Sequence, residues 1–332
     1  MQTILINSKS RDVMSTCLVL DARTATAHFP GIGRYVVNLT RTIVSLLGED
    51  EQLVLLRDST QPSPWNLTRL ARERVQVMDV PVSPFSLPQQ WVLPRLLSRC
   101  LEADLYHSPY YLMPYQIGVP TVVTVHDLIP LLYPQYVSAK ARLLFRWMMA
   151  LALRAAAHII AISQTTRRDL VASYRLSPQK VTAISLAVDS DFYPQPPTEV
   201  ERVHRKYALT KDYILYLGIN KPHRNLIRLI DAFLRLTPHA SRLTLVIAGP
   251  WDSRYPEPRH RVATLGLEKT VRFLGLVPEA DLPALYAGAA LFVVPSLYEG
   301  FGLPALEAMT CGAPVACSNT SNLPDVAGDA AL

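Results

Sequence analysis

The sequence predicts an α/β protein built from two doubly wound domains in tandem. Short runs of β-branched residues alternate with longer helical patterns, and this order is typical of a parallel sheet covered on both faces by helices. The turn-forming stretch VDSDFYPQPPT, residues 188–198, interrupts the alternation near the middle of the chain. The length of 332 residues and the apolar content of 49% suffice for two hydrophobic cores.

In the first half, strands are predicted where short apolar runs are bounded by turn residues, with helical patterns in most of the gaps between them. These strands cover residues 17–22, 52–58, 75–81, 104–108, 121–127, 158–163 and 181–189. In the second half, the same reasoning predicts strands at 213–218, 242–250, 271–277, 291–296 and 314–318. Helices are expected to begin near Asn225, Glu257, Glu279 and Leu303.

The predicted domain boundaries follow from this pattern. Residues 1–13 carry no pattern and are interpreted as an irregular extension, because Met14 leads directly into the first strand. The first domain is expected at 14–192 and the second at 193–332. The chain stops just as another strand would begin, which predicts a truncated carboxyl end.

Composition and charge exclude several classes of protein. Charged residues make up 18% of the chain, yet no window reaches the roughly 18 uncharged apolar residues of a membrane span, and the first twenty residues lack the pattern of a signal peptide. The net charge of +6 is scattered, so we expect no nucleic-acid partner but an anionic ligand or a membrane surface. The four cysteines match neither a disulfide framework nor a zinc site. A cytoplasmic location is predicted.

The segment PSLYEGFGLPALEAM, residues 295–309, carries the clearest chemistry. It follows the apolar run ALFVV, turns at two glycines, and begins a helix with Pro304 at an early position. The free amides of a helix start bind anions. Glu299 lies in the loop and Glu307 about one turn into the helix, so both carboxylates can accept hydrogen bonds from sugar hydroxyls. The alternative is a capped turn beside a solvated glutamate.

The run EGFGLPALE resembles the glutamate, seven residues, glutamate signature of the retaining glycosyltransferases of family 4. These enzymes have the GT-B fold, two Rossmann-like domains that face each other across a cleft. The resemblance implies that Glu307 binds the ribose of a nucleotide sugar and that Glu299 holds hydroxyls of the donor sugar. It also implies that the amides of Phe301, Gly302 and Leu303 line the sugar and diphosphate pocket. The first domain would then be the acceptor side, and the second would bind the donor and lack the family's last helix.

The segment LGINKPHRNLIRLIDAF, residues 217–233, places a basic turn between a predicted strand and a helix. Cations beside amide donors suit a diphosphate, whereas a solvated turn is the alternative. The turn is similar to the family's loop whose lysine binds the donor phosphates, with Arg224 at the lysine position, and arginine is not an equivalent phosphate ligand. Ile219 stands where relatives often carry a polar residue, so Asn220 or Lys221 is expected to supply that contact.

In the first domain, Gly31 and Gly33 lie at the start of an apolar-periodic helix, in GIGRY. They serve either close approach of the backbone to a phosphate or a plain tight turn. Val36 occupies the sixth position of a GxGxxG pattern, which argues against a dinucleotide-binding fold. GIGRY resembles the family's glycine-rich loop that faces the donor diphosphate. HDLIPLLYP resembles the stretch with an active-site histidine, which implies that His126 orients the donor sugar at the reaction centre.

The segment AKARLLFRWMMALALRAAAH, residues 139–158, mixes basic and apolar residues. One interpretation is a packed helix with a solvated basic stripe. The other is a helix at a membrane surface, close to a lipid-linked acceptor.

The resemblance implies transfer of a sugar from a nucleoside diphosphate sugar to an acceptor hydroxyl with retention of the anomeric configuration, without a further cofactor. No Asp-x-Asp motif lies in a suitable loop, so we expect no obligatory metal. GIGRYV and HDLIPLLYP look most like bacterial O-antigen or exopolysaccharide enzymes, many of them mannosyltransferases, so GDP-mannose is the preferred donor, with a saccharide or lipid-linked acceptor. Two rivals remain: another two-domain enzyme, such as a nicotinamide dehydrogenase or an epimerase, and a nucleotide-sugar-binding protein without turnover.

Overall fold

The computed structural model describes residues 16–26, 28–209, 212–238 and 242–332, so the predicted extension at 1–13 lies outside the described residues. The chain divides into two compact units. The amino-terminal unit comprises the chain up to His126 together with Ala139–Ile162 and Thr166–Ile184, and the carboxyl-terminal unit comprises Asp127–Ser138, Ser163–Thr165 and Ser185–Leu332. The structural division after Ile184 thus precedes the boundary at 192 predicted from the linker.

The amino-terminal unit contains a parallel sheet of seven strands in the order β3-β2-β1-β4-β5-β6-β7. The strands are β1 Thr16–Asp21, β2 Glu51–Arg57, β3 Val75–Asp79, β4 Leu105–Ser108, β5 Thr121–Val125, β6 His158–Ala161 and β7 Val181–Ala183. Every strand predicted in this half is present. The central strands read as continuous apolar runs because helices cover both faces of the sheet.

Most of these strands end one or more residues earlier than the sequence predicts, and two neighbours of β6 show the reason. The strand predicted at 181–189 stops at Ala183, and the strand predicted at 121–127 stops at Val125. In each case the last residue pairs with Ala161, the residue at which β6 itself ends. Beyond that point the chain has no neighbour to continue the ladder.

The helices of the first half connect these strands. They are α1 Pro30–Leu46, α2 Gln89–Arg95, α3 Ile129–Leu132, α4 Ala139–Ala155 and α5 Gln164–Tyr174. In α1, Pro30 occupies the first helical position, and the buried residues Gly33, Val36, Val37 and Thr40 follow the spacing of one helix face. This face packs on the sheet and fixes where the helix starts.

The carboxyl-terminal unit contains a parallel sheet of five strands in the order β10-β9-β8-β11-β12. The strands are β8 Tyr213–Leu217, β9 Thr244–Ala248, β10 Val271–Gly275, β11 Leu291–Val294 and β12 Val315–Cys317. The helices are α6 Pro197–Tyr207, α7 Leu226–Leu236, α8 Glu257–Thr264, α9 Leu282–Ala287, α10 Leu303–Thr310 and α11 Leu323–Ala327. The predicted strands and helix starts are confirmed, except that a 3-10 turn at Glu279–Asp281 precedes α9.

Side chains of this second sheet alternate between two cores. Leu215 and Val246 belong to a cluster with Tyr286 and Phe292, whereas their neighbour Ile214 packs in a cluster on the opposite face. Each unit therefore has the layered architecture predicted from the sequence, a parallel sheet between helices. Among the described helices, none combines the length and apolar content needed to cross a bilayer.

Candidate functional site

Two loops of the carboxyl-terminal unit meet at the carboxyl ends of β8 and β11. One follows β8 and contains the basic turn, and the other follows β11 and leads into α10. The Asn225 side-chain amide donates to the Pro295 carbonyl at 3.1 Å, and the Leu297 amide donates to the His223 carbonyl at 2.8 Å. The structure thus brings together the two segments that the sequence singles out separately.

Glu299 is held from three sides. Its Oε1 accepts a hydrogen bond from the Ser296 hydroxyl at 2.8 Å and forms an ion pair with the Arg224 guanidinium. The Ser321 hydroxyl accepts from the Glu299 amide at 2.9 Å and donates to the Glu299 carbonyl at 3.0 Å. Only 6% of Glu299 is exposed. The carboxylate is consequently fixed in place and partly neutralised before any ligand arrives.

The turn between Glu299 and α10 presents backbone donors. Among the described residues, the amides of Phe301, Gly302 and Leu303 donate to no acceptor, and no side chain caps α10. Gly302 has a φ of 101°, and a Cβ there would lie 2.7 Å from a methyl carbon of Leu323. The Asn322 amide donates to the Phe301 carbonyl at 2.9 Å. The arrangement holds three N–H groups ready for an anion at a helix start.

Glu307 is the fifth residue of the eight-residue helix α10 and is only 2% exposed. Its Oε2 accepts a hydrogen bond from the Tyr286 hydroxyl at 2.9 Å. The Tyr286 ring packs at 5.0 Å from the ring of Phe292 and 6.1 Å from that of Phe192. A rigid aromatic cluster therefore sets the position of this carboxylate.

The basic turn contributes charge of different kinds. Arg224 is 24% exposed at its side chain, and its Nε is buried with no hydrogen-bond partner among the described residues. Burial, together with the neighbouring Arg224 and Lys221 cations, lowers the pKa of His223 to about 3, so this imidazole is neutral near pH 7. Lys221 is exposed. Arginine and lysine are thus the cations that this loop offers to a ligand.

Asn220 is 3% exposed, and its side chain is engaged within the unit. Its Nδ2 donates to the carbonyls of Asp252 and Tyr255 at 2.9 and 2.7 Å, and its Oδ1 accepts from the Asp252 amide at 2.6 Å. These bonds join the basic turn to the loop after β9. The polar contact to the donor that we expected from Asn220 or Lys221 is therefore more readily supplied by Lys221. A donor-binding role for Asn220 stays a prediction.

The predicted glycines of the amino-terminal unit lie inside the first turn of α1. Gly31 is exposed, and a Cβ placed there would meet nothing within 4 Å. Gly33 is buried, and a Cβ there would overlap the indole ring of Trp65 at 2.1 Å. The group that packs closely against Gly33 is therefore the Trp65 indole. Only Gly31 has free space beside it where a phosphate could bind. Both roles in donor binding stay predictions.

His126 follows the last residue of β5. Its Nε2 lies 3.0 Å from the Pro109 carbonyl, which can only accept, so the ring proton is on Nε2. Its ring contacts the Tyr35 ring edge to face at 5.3 Å. Burial, together with the neighbouring His126, lowers the pKa of His107 to about 4. His126 is thus oriented by its neighbours at the carboxyl edge of the first sheet, and its role in orienting the donor sugar stays a prediction.

Sequence reasoning missed the residues that support the two glutamates. Ser321, Asn322 and Tyr286 lie in segments whose composition is ordinary, and their bonds to the site link positions 21 or 22 apart in sequence, whereas Ser296 lies three residues before Glu299. The polar run SNTSN after β12 is a signal that could have drawn attention to two of them.

A buried ion pair at the end of β1 was also missed. Arg23 and Asp21 are 1% and 2% exposed and joined by two hydrogen bonds of 2.8 and 2.6 Å. The Tyr106 hydroxyl donates to Asp21 at 2.6 Å, and Arg23 also donates to the Val82 carbonyl at 2.7 Å. Despite burial, the guanidinium of Arg23 keeps the pKa of Asp21 below its ordinary value. This pair anchors the loop that leads into α1.

In chemical terms, the carboxyl-terminal unit offers free amides and cations for an anion, flanked by two fixed carboxylates that accept hydroxyl groups. A ligand that carries both a phosphate and vicinal hydroxyls fits this set of donors and acceptors. Among the described residues, no group of three His, Cys, Asp or Glu side chains is placed to hold a metal ion.

Comparison with known proteins matches most of the chain to one family of glycosyltransferases. The family model Glycosyltransferase Family 4 matches residues 30–192, and the model Glycosyl transferases group 1 matches residues 199–331. O-antigen chain mannosyltransferase B of Escherichia coli is 31% identical over 323 residues, which are 91% of this chain and 82% of that protein. A D-inositol 3-phosphate glycosyltransferase of Corynebacterium aurimucosum is 28% identical, and its alignment covers 90% of this chain and 77% of that protein.

The solved structures agree on the fold. Anabaena Alr3699/HepE in complex with UDP and glucose superposes with a TM-score of 0.71 at 21% identity, over 93% of this chain and 82% of that one. WaaG, a glycosyltransferase involved in lipopolysaccharide biosynthesis, gives a TM-score of 0.69 at 19% identity, over 94% of this chain and 83% of that one. At these identities the likeness concerns the fold alone.

Proposed function

The chain belongs to glycosyltransferase family 4, the glycosyl transferases group 1, and on that premise we propose that it transfers mannose from GDP-mannose to a hydroxyl of a saccharide or lipid-linked acceptor. The pairing of Glu299 and Glu307 around three free amides carries this proposal. The similarity to O-antigen chain mannosyltransferase B supports mannose as the sugar and bacterial surface polysaccharide as the product.

The donor would bind through the parts of this site that match its chemistry. The diphosphate would accept from the amides of 301–303 and from Arg224 and Lys221, because anions bind strongly to backbone N–H groups and guanidinium. Glu307 would accept from the ribose hydroxyls and Glu299 from hydroxyls of the sugar. Arg224 can serve Glu299 and a phosphate together, because a guanidinium carries five N–H donors in a planar fork.

We further propose a retaining, same-face displacement. The bond between the anomeric carbon and the diphosphate oxygen breaks as the acceptor oxygen bonds to that carbon, and the acceptor proton passes to the departing diphosphate. Cations and helix-start amides would stabilise the charge that develops on the leaving group, so no metal is required. His126, in the amino-terminal unit, would orient the donor sugar, as its resemblance to the family's histidine implies.

The first test is donor binding. Melting temperature is measured with GDP-mannose, UDP-glucose, UDP-N-acetylglucosamine and NAD, for the wild type, for Glu307→Ala and for the exposed control Glu268→Ala. We expect stabilisation by GDP-mannose that is lost in Glu307→Ala and kept in the control. Stabilisation by NAD alone would favour a dehydrogenase and contradict the proposal.

The second test is the reaction itself. The protein is incubated with the donor and a mannoside acceptor, and the product is analysed by mass spectrometry and by NMR of its anomeric centre. We expect a new glycosidic bond with the donor's configuration, formed equally with and without a chelator. An epimerised nucleotide sugar, or binding without any product, would support a rival function, and loss of activity with chelator would overturn metal independence.

We also propose that the enzyme works at the cytoplasmic face of a membrane and contacts it through α4. One face of α4 is buried, while Leu143 and Trp147 on the other are 57% and 64% exposed, and the helix carries no acidic residue. Sedimentation with phosphatidylglycerol vesicles should be lost in a Leu143→Ser, Trp147→Ser variant but kept in Leu46→Ser, a change of an exposed leucine elsewhere. Equal sedimentation of all three would refute this contact.

A further inference from the structure

A cavity of about 370 Å³ opens in the amino-terminal unit at the carboxyl ends of β1 and β2. Its walls are the residues that follow β1 and the loop after β2, and its volume falls within the range of about 300–1,000 Å³ typical of ligand sites. None of the predicted donor-binding side chains belongs to its lining. The cavity is therefore separate from the predicted donor site, and its ligand has to be inferred from its own lining.

Three side chains of the β2 end define that chemistry. Asp58 is 7% exposed, and its Oδ1 accepts from the amide and hydroxyl of Thr60 at 3.0 and 2.5 Å, while Oδ2 receives no hydrogen bond from the described residues. Arg57 is half-buried, and its guanidinium forms no ion pair or hydrogen bond with the described residues, although its carbonyl accepts from the Val80 amide at 2.7 Å. Trp65 is held in place by its contact with Gly33, where only a glycine leaves room for the indole.

These groups suit a neutral, hydroxyl-rich ligand. A carboxylate acceptor beside a guanidinium donor can bind neighbouring sugar hydroxyls, and an indole offers an apolar surface for the C–H groups of a pyranose ring. The charges of Arg57 and Asp58 balance and Arg23 is paired with Asp21, so the cavity lining has no excess positive charge that would favour a phosphate. Gln61, Ser59 and Thr26 add further neutral polar groups to the wall.

The position of the cavity excludes the reacting sugar. In the sheet order β2-β1-β4-β5, the end of β2 lies three strand spacings from the end of β5, which is about 14 Å. His126 follows β5 on that same edge, and a sugar at the reaction centre would lie near it. The distance is larger than one hexose ring. A ligand in the cavity would thus be a part of the substrate remote from the reacting hydroxyl.

We propose that this cavity binds an internal sugar of the acceptor chain, several residues behind the hydroxyl that receives the transferred sugar, with Arg57, Asp58 and Trp65 as its recognition residues. The inference rests on the proposed transferase function and adds to it a preference for long acceptors. Binding energy from a remote part of a substrate can be used to position the reacting end, so the preference should be seen in kcat/KM.

The test compares two acceptors, methyl α-mannoside and a linear α-linked mannotetraose, with GDP-mannose as donor. The wild type is expected to use the tetrasaccharide at least tenfold more efficiently in kcat/KM. In Arg57→Gln and Asp58→Asn this preference should fall to threefold or less, with an unchanged kcat/KM for methyl α-mannoside and an unchanged KM for the donor. Arg69→Gln, an exposed arginine of the same loop region that does not line the cavity, should behave as wild type.

Two results would overturn the proposal. One is a wild type that uses both acceptors equally well, and the other is a variant that loses both activities in parallel, which would indicate a structural role or the reacting subsite. Calorimetric titration of mannotetraose into the protein without donor separates this proposal from the transferase function itself. If no transfer occurs at all, binding lost in Arg57→Gln and Asp58→Asn but kept in Arg69→Gln still supports the cavity as a saccharide site, and equal or absent binding refutes it.

Discussion

The hydrogen bond from Tyr286 to Glu307 is expected to support donor affinity as well as stability. In Tyr286→Phe the ring still packs on Phe292, so only the hydroxyl is lost from a fully buried side chain. A hydrogen bond to a charged group contributes about 1.5–3 kcal/mol, and the free energy of unfolding should fall by that amount. Glu307 then has to be ordered when the donor binds, at a cost of about 0.5–1.5 kcal/mol. The Kd for GDP-mannose should therefore rise about two- to twelvefold.

Tyr213→Phe is the matched control for this variant. Tyr213 is buried in the same hydrophobic cluster, and its hydroxyl donates at 2.6 Å to the Leu285 carbonyl and not to either glutamate. This change should reduce the free energy of unfolding by about 0.5–1.5 kcal/mol and leave the Kd unchanged. Urea unfolding and calorimetric titration measure the two quantities. An equal change in Kd for both variants, or none for Tyr286→Phe, would refute the argument that Tyr286 positions Glu307.

Three further predictions concern stability. Gly302→Ala should lower the melting temperature more than Gly312→Ala. Both glycines have a left-handed φ, but only at Gly302 would the new methyl group meet a leucine side chain. An equal fall in melting temperature for the two variants would contradict this prediction. The folded-state pKa of about 3 for His223 lies below its unfolded value of about 6.5, so the free energy of unfolding should decline by about 1.4 kcal/mol per pH unit as the pH falls through that interval. Urea unfolding between pH 7 and 4 should show a correspondingly weaker dependence of this free energy on pH in His223→Gln. The same pH dependence in the variant and the wild type would disprove the shift. Arg23→Met or Asp21→Asn alone should lower the free energy of unfolding by about 3–5 kcal/mol, and the double variant should lower it by less than the sum of the two. A double-mutant cycle measures these changes. A loss below about 1 kcal/mol in either single variant would argue against a buried pair.

The strands and their succession along the chain could be predicted from the sequence because their signals are local, whereas their order within each sheet was not predicted. Runs such as LVL in β1 and LVI in β9 are buried on both faces, and turn residues bound them closely. The ends of β5 and β7 could not be predicted, because a strand ends where its neighbour ends, and β6 is the neighbour that stops first.

The candidate site divides in the same way. Glu299, Glu307 and the amides between them lie within one contiguous motif, so their proximity is a matter of local geometry. Arg224 comes from a separate loop, and only the tertiary structure places its guanidinium on Glu299. The same is true of Asn220, whose amide is directed by the loop after β9 rather than by its own neighbours in sequence.

By itself, then, the sequence determined the class of fold, the succession of strands and helices, and the family-specific loops, because each depends on residues within a few positions of one another. The tertiary structure alone decided which groups hold those loops. Tyr286 reaches Glu307 across 21 positions, and Tyr106 reaches Asp21 across 85. Such partners leave no periodic or compositional trace, since a single buried hydroxyl can satisfy a distant carboxylate from any element that the fold brings within hydrogen-bonding distance.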